Sequence, residues 1–263
     1  RARARCARIR KRRRCRREAG CRGSEVTPSA EIPIRSRWAL LHESRVLWDV
    51  AQSIARLPGL AAQPRGAGAP VIVLPGFSAG DASTAPLRIF LRLLGHDARG
   101  WGLGNNGGDV PALLPRIVAE TERCAMATGA RVRLIGWSLG GYLAREVARE
   151  RPDLVERVVT LGSPVVGGPK YTSAARTFQM RGLDLDAMEA EVAAREETPL
   201  QTPVTAIYSK RDGVVAWQAC IDHRNRNVEH IEVFSSHVGL GFHAEVYAVI
   251  AQRLAATPAR AAA

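Results

Sequence analysis

The chain carries a serine set among glycines, Gly136-Trp137-Ser138-Leu139-Gly140-Gly141. An apolar, β-branched run, Arg131-Val132-Arg133-Leu134-Ile135, precedes it, and a helix-forming stretch from Tyr142 to Glu150 follows. Strand, tight turn and helix form the setting in which a Gly-x-Ser-x-Gly pentapeptide presents a nucleophile. The turn holds the serine in a strained conformation and lifts its hydroxyl to the top of a sheet. The chain passes close on both sides, so a Cβ at Gly136 or Gly140 would obstruct it. Gly141 adds a small position where the helix presses on the neighbouring strand. An ordinary glycine-rich turn fits the same letters, but the strand before and the helix after favour the nucleophile.

A serine hydroxyl is a weak nucleophile at neutral pH. It needs a histidine to take its proton and an acid to hold that histidine in the right tautomer. After a turn of this kind the chain order is serine, then acid, then histidine. The strand-like run Thr202 to Tyr208 ends in Ser209-Lys210-Arg211-Asp212-Gly213, which puts Asp212 just past a strand's carboxyl end. Ligand sites of open α/β sheets collect at that edge. The alternative is a surface aspartate capping a turn before Gly213. A second strand-like run, Val228 to Phe234, leads into Ser235-Ser236-His237, ahead of a helix expected over Ala244 to Ala255. His237 is the expected base. His42 and His96 precede the serine, His223 lies in a polar loop and His230 within a strand. His243, at the start of the last helix, is the rival, read as a solvated residue whose pKa the helix dipole depresses.

The tetrahedral intermediate needs two N–H donors. Leu139, after the nucleophile, supplies one. The early strand Pro70 to Leu74 ends in Pro75-Gly76-Phe77-Ser78, which makes Phe77 N–H the natural second donor and Ser78 its alternative. A plain Pro-Gly turn fits these letters too.

These pieces resemble the α/β-hydrolase superfamily in its lipase and esterase branch, over nearly the whole chain from about Val71 to the last helix. Leu74-Pro75-Gly76-Phe77, Pro86-Leu87-Arg88, Gly100-Trp101-Gly102-Leu103-Gly104-Asn105-Asn106, Leu161-Gly162-Ser163-Pro164 and Ser236-His237-Val238-Gly239-Leu240 are similar to one bacterial lipase/esterase-like group. The resemblance implies a Ser138, Asp212, His237 triad and ester hydrolysis through an acyl-enzyme. Where relatives carry His-Gly before the oxyanion loop, this chain has Pro75-Gly76, and so lacks a side chain that some of them use as a brace.

The remaining segments must position these groups. Helices are expected over Ala85 to Leu94 and Val110 to Thr128, and strands over His96 to Trp101 and Glu156 to Leu161. This alternation argues for an α/β fold, a mainly parallel sheet with helices on both faces. Residues 166–200 break the pattern and read as a short lid insertion, with a helical piece from Leu185 to Ala194. Phe178, Met180, Leu183 and Met188 line an acyl pocket or form the lid's own core, and Ser78 is a further pocket candidate. Apolar residues between Trp38 and Leu57 approximate helical spacing, with Pro58-Gly59 expected to end the helix; its apolar face is read as packed on the domain, with a membrane-surface or gating role as the alternative.

The 263 residues suit one domain, read as 31–263 behind a basic arm at 1–30. Of the net charge of +13, residues 1–22 supply +11, from eleven arginines and Lys11 against Glu18. So polar an arm should not fold by itself. Binding nucleic acid or an anionic surface is one reading. Translation of a GC-rich upstream stretch is preferred, because the chain lacks an initiating Met. Cys6, Cys15 and Cys21 lie in the arm without zinc-site spacing, and Cys124 and Cys220 are expected reduced.

The leading expectation is therefore a carboxylic ester hydrolase acting on a small-molecule or lipid ester. It needs no cofactor or metal, has no membrane span, is not expected to bind nucleic acid, and is assigned to the bacterial cytoplasm. Thioester hydrolysis, acyl transfer and amide cleavage use the same triad. A lipase acting at a lipid interface and an arm-driven binding protein are the further alternatives.

Overall fold

The computed structural model describes residues 32–34, 43–44 and 56–255. The arm at 1–30 and its three cysteines, and nearly all of the helix expected over 38–57, lie outside the described residues. Six strands appear among them: Pro70–Leu74 (β1), Asp97–Gly100 (β2), Val132–Trp137 (β3), Val155–Leu161 (β4), Val204–Tyr208 (β5) and Val228–Glu232 (β6). They form one sheet in the order β2-β1-β3-β4-β5-β6, and each pairing is parallel. The helices are Leu57–Ala61 (α1), Ala85–Leu93 (α2), Val110–Thr128 (α3), Leu139–Glu150 (α4), Ala175–Met180 (α5), Leu185–Arg195 (α6) and Ala244–Ala255 (α7).

The reason β1 is apolar throughout is that both sheet faces are covered. Val71 and Val73 pack with Leu87, Phe90 and Leu91 of α2 and with Val246 and Ile250 of α7. Ile72 and Leu74 pack on the other face with Leu113, Leu114 and Ile117 of α3 and with Leu143 and Val147 of α4. Several boundaries differ from the sequence reading: β2 runs over Asp97–Gly100 rather than His96 to Trp101, and β6 stops at Glu232 rather than Phe234. Helix α4 begins at Leu139, directly after Ser138, rather than at Tyr142. Pro58, expected to end the helix over 38–57, sits in the first turn of α1, where its missing N–H costs nothing.

A buried ionic cluster ties α4 to the segments after it. Arg145 is only 1% exposed, and its guanidinium lies 2.6 Å from Asp222 and 3.1 Å from Glu196. The Asp222 carboxylate also accepts the amides of Arg224 and Asn225, and its own amide donates to His230 Nε2 at 2.9 Å. Burial opposes ionisation of Asp222, but the Arg145 charge and the Asn225 hydrogen bonds outweigh it and hold the pKa down to about 2.

Arg145→Met removes the cation and strands a buried carboxylate. Breaking such a pair from one side costs about 3–5 kcal/mol. Urea denaturation should show that loss for Arg145→Met and recover much of it in Arg145→Met/Asp222→Leu, where no charge is left unpaired.

Candidate active site

The turn between β3 and α4 holds Ser138 at φ 55 and ψ −122. Ser138 and Ser78 are the two non-glycine residues at positive φ among those described. Such conformations cost on the order of 1–3 kcal/mol and persist only where the surroundings impose them. Here glycines do so. A Cβ on Gly136 would fall onto the Gly140 carbonyl, and one on Gly140 would sit 2.5 Å from the Leu74 oxygen and 2.6 Å from that of Pro75. The serine amide is anchored across the sheet on the Leu161 carbonyl at 2.8 Å.

Asp212 follows β5 and His237 follows β6, so the parallel order of neighbouring strands delivers both to one edge. Asp212 Oδ2 lies 2.6 Å from His237 Nδ1. Its Oδ1 accepts the amides of Val214 at 2.8 Å and Val215 at 2.6 Å. The two loops are pinned by Ser209 Oγ, which donates to the Ser235 carbonyl at 2.6 Å. Burial of the imidazole works against its protonation, but the Asp212 charge and hydrogen bond, helped by Glu43, prevail and raise the His237 pKa above its ordinary value. Gly162, at φ +54, makes room for the pair: a Cβ there would stand 2.9 Å from Asp212 Oδ2 and 3.0 Å from His237 Nδ1.

Ser138 and His237 border one mostly apolar cavity of about 660 Å³. No hydrogen bond joins the serine hydroxyl to the imidazole, and such contacts commonly tighten only around substrate. The 166–200 insertion forms one wall through Phe178, Leu183 and Met188. Phe178 is both lining and core, since it is buried and its ring packs, tilted by 36°, with its centroid 4.9 Å from that of Phe77. Arg181 caps that pair, lying over the Phe77 ring and donating to the Gly107 carbonyl at 2.8 Å. Two expected pocket residues fall elsewhere. Met180 points into solvent at 72% exposure because it ends α5 on its outer side, and exposed Ser78 is absent from the lining.

Ser78 N–H is committed to the Asn106 carbonyl at 2.8 Å, which takes it out of competition as an oxyanion donor. The amides of Phe77 and Leu139 make no such bond among the described residues, and Leu139 opens α4, where helix N–H groups point outward. Asn106 itself is fully buried. Its side chain donates to the Pro75 carbonyl at 2.9 Å and accepts Gly108 N–H at 3.2 Å, and its amide donates to the Ala79 carbonyl at 2.8 Å. The brace missing from Pro75-Gly76 is thus supplied from thirty residues downstream. Among adjacent asparagines and glycines, no sequence signal singles out Asn106.

A scan of protein-family models and a search of curated proteins return no match to this chain. Solved structures do match. The mature lipase BlEst2 of Bacillus licheniformis superposes with a TM-score of 0.57 at 16% identity, over 73% of this chain and 94% of that one. Est1E from Butyrivibrio proteoclasticus gives 0.56 at 15% identity, over 73% and 89%. The monoacylglycerol lipase of Paleococcus ferrophilus gives 0.53 at 16% identity, over 71% and 95%. The chain has the α/β-hydrolase fold.

Within this α/β-hydrolase fold the cavity lining includes no histidine but His237 among the described residues. His96 is buried with neither ring nitrogen partnered, and burial, with the Arg133 charge, lowers its pKa. His230 serves Asp222. His243 is buried, not solvated as its position at a helix start suggested, and is not in the cavity lining. The Trp137 indole braces the histidine loop by donating to the His237 carbonyl at 3.2 Å. Cys124 is a buried free thiol, and Cys220 is buried as well. Among the described residues, no three His, Cys, Asp or Glu side chains gather into a metal-binding group, and no helix is long and apolar enough to cross a membrane. One further residue touches the site. Glu43, which the sequence reading left inside the helical 38–57 stretch, accepts amides from both the Asp212 and the His237 loops.

Gly162→Ala should force Asp212 and His237 apart. The expected outcome is a fall of about a hundredfold in the rate at which a fluorophosphonate probe labels Ser138, the scale that about 1 Å of misplacement carries. Intact-mass measurement of labelling against time reads it.

Proposed function

We propose that the protein is a serine hydrolase that cleaves carboxylic esters through an acyl-enzyme. One observation carries the reading: a buried Asp212–His237 pair at 2.6 Å and a strained, glycine-flanked Ser138 open on the same apolar cavity. In this reading Ser138 Oγ attacks the ester carbonyl and passes its proton to His237 Nε2. Asp212 holds the Nδ1–H tautomer and stabilises the imidazolium. The amides of Phe77 and Leu139 receive the oxyanion. Collapse expels the alcohol, which takes the proton back from His237. Water, deprotonated in turn by His237, then releases the acid and frees the serine.

The lipases and esterases among similar structures support ester chemistry as the reaction class. The cavity's volume of about 660 Å³ falls in the range of small-ligand sites, about 300–1,000 Å³, and its lining suits an acyl chain better than a charged group. The 166–200 insertion acts as a small lid, latched by Phe178 on Phe77 and by Arg181 on Gly107.

Hydrolysis of p-nitrophenyl esters from acetate to palmitate tests this. Turnover should be lost in Ser138→Ala, with burst kinetics in the wild type. An optimum at intermediate acyl length is expected from the cavity. No turnover on any ester would overturn the reading.

The pH profile gives a second test. His237 must be neutral to act as base, and its pKa is raised above 6.5. Activity should therefore climb with pH through a midpoint above 6.5. Asp212→Asn should move that midpoint down and lower kcat by about 10⁴-fold.

A further inference from the structure

Glu43 lies far upstream of every residue in the proposed machinery, yet its carboxylate reaches both loops that carry the acid and the base. Oε1 accepts Gly213 N–H at 2.9 Å and His237 N–H at 3.0 Å. Oε2 accepts Val238 N–H at 2.8 Å. Gly213 is next to Asp212, and Val238 is next to His237. One side chain therefore clasps the backbone on the far side of the 2.6 Å contact between Asp212 and His237.

We infer that Glu43 is a positioning residue, a clasp that sets the Asp212–His237 pair by fixing the two loops to one rigid carboxylate. Its role in turnover rests on the serine-hydrolase reading above.

The chemistry favours a carboxylate at this place. Three N–H donors converge on it, and only an ionised carboxylate accepts on both oxygens while offering no proton of its own. Hydrogen bonds to a charged acceptor are about twice as strong as neutral ones. The two loops also meet through the Ser209–Ser235 hydrogen bonds, the Arg211 guanidinium over the Phe234 ring and the Asp212–His237 contact. Among the described residues the partners of the Glu43 carboxylate are these three amides. The segment has a second foothold on the same loop, because Ile32 packs with Val215 and Ala216, just past Asp212.

The clasp also acts through charge. The ionisable groups that bear on the imidazole are Asp212 and Glu43, and both favour its protonated form. The imidazolium that forms when the serine gives up its proton is thus flanked by two carboxylates. One touches Nδ1, and the other holds the histidine's own amide. A glutamine at position 43 keeps one acceptor oxygen but turns an N–H₂ toward a third N–H and loses the charge. An alanine removes all three bonds.

The experiment compares wild type, Glu43→Gln and Glu43→Ala by three readouts. Hydrogen exchange followed by mass spectrometry reports the amides of 212–214 and 237–239. NMR titration reports the imidazole pKa of His237. Fluorophosphonate labelling and ester kinetics report Ser138. Glu43→Ala should lose protection in both loops together while the strands keep theirs. Its imidazole should titrate at lower pH than in the wild type, and kcat should fall about a hundredfold with KM little changed. Glu43→Gln should lie between, and it keeps the test open if the alanine variant fails to fold. Unchanged protection in either loop, or an unchanged imidazole titration, would overturn the clasp whatever the activity. The two proposals fail differently. A wild type that neither labels nor turns over esters, while Glu43→Ala still loosens both loops, leaves the clasp standing and sinks the hydrolase. A Glu43→Ala protein as active as an active wild type does the reverse.

Discussion

Asp212 and His237 sit 2.6 Å apart in a place where neither is stable alone. Desolvation penalises a buried carboxylate, and it penalises an imidazolium in the same way. Together they offset that penalty, and the balance holds only while the geometry does. Much of the surrounding architecture reads as a response to this constraint. Two amides charge-balance the outer oxygen of Asp212. Gly162 leaves the space the pair occupies. Trp137 and Glu43 hold the histidine's backbone from two directions. The parallel sheet makes the meeting possible, because β5 and β6 are neighbours that run the same way and end at the same edge.

The other half of the site solves a different problem. Ser138 is strained and half-buried, and the loop after β1 lies against it. The glycine contacts around Gly136 and Gly140 bring the two backbones together, and no side chain fits between them. That leaves the Pro75-Gly76-Phe77 loop needing support from elsewhere. Asn106 gives it through one side chain and two backbone bonds, in a buried setting where each unmade bond would cost on the order of 1–3 kcal/mol. In the proposed reaction this support would set the Phe77 donor in place before any substrate arrives, which is the condition for electrostatic preorganisation.

The elbow helix is held from behind. Arg145 and the acids around it link α4 to the far end of the 166–200 insertion and to the loop before β6. The helix whose first residue, Leu139, lines the cavity is thus fixed to the segment that forms the cavity's wall.

Local pattern was enough to read much of this from the chain. The alternation of strand and helix, the glycines about Ser138 and the loop positions of Asp212 and His237 are short-range signals. They follow from sterics and hydrophobic periodicity within a few residues, and the elements match them nearly end for end. Tertiary structure alone decided what depends on distant chain segments meeting. Asn106 under Pro75, Glu43 across two loops, the burial of His243 and the outward turn of Met180 are contacts or orientations that no local pattern encodes. A buried amide or carboxylate is recognised by the groups it satisfies, and those lie 31 residues away for Asn106 and 170 to 195 for Glu43. Composition marks which residues are able to do chemistry, whereas packing selects the ones that hold them in place.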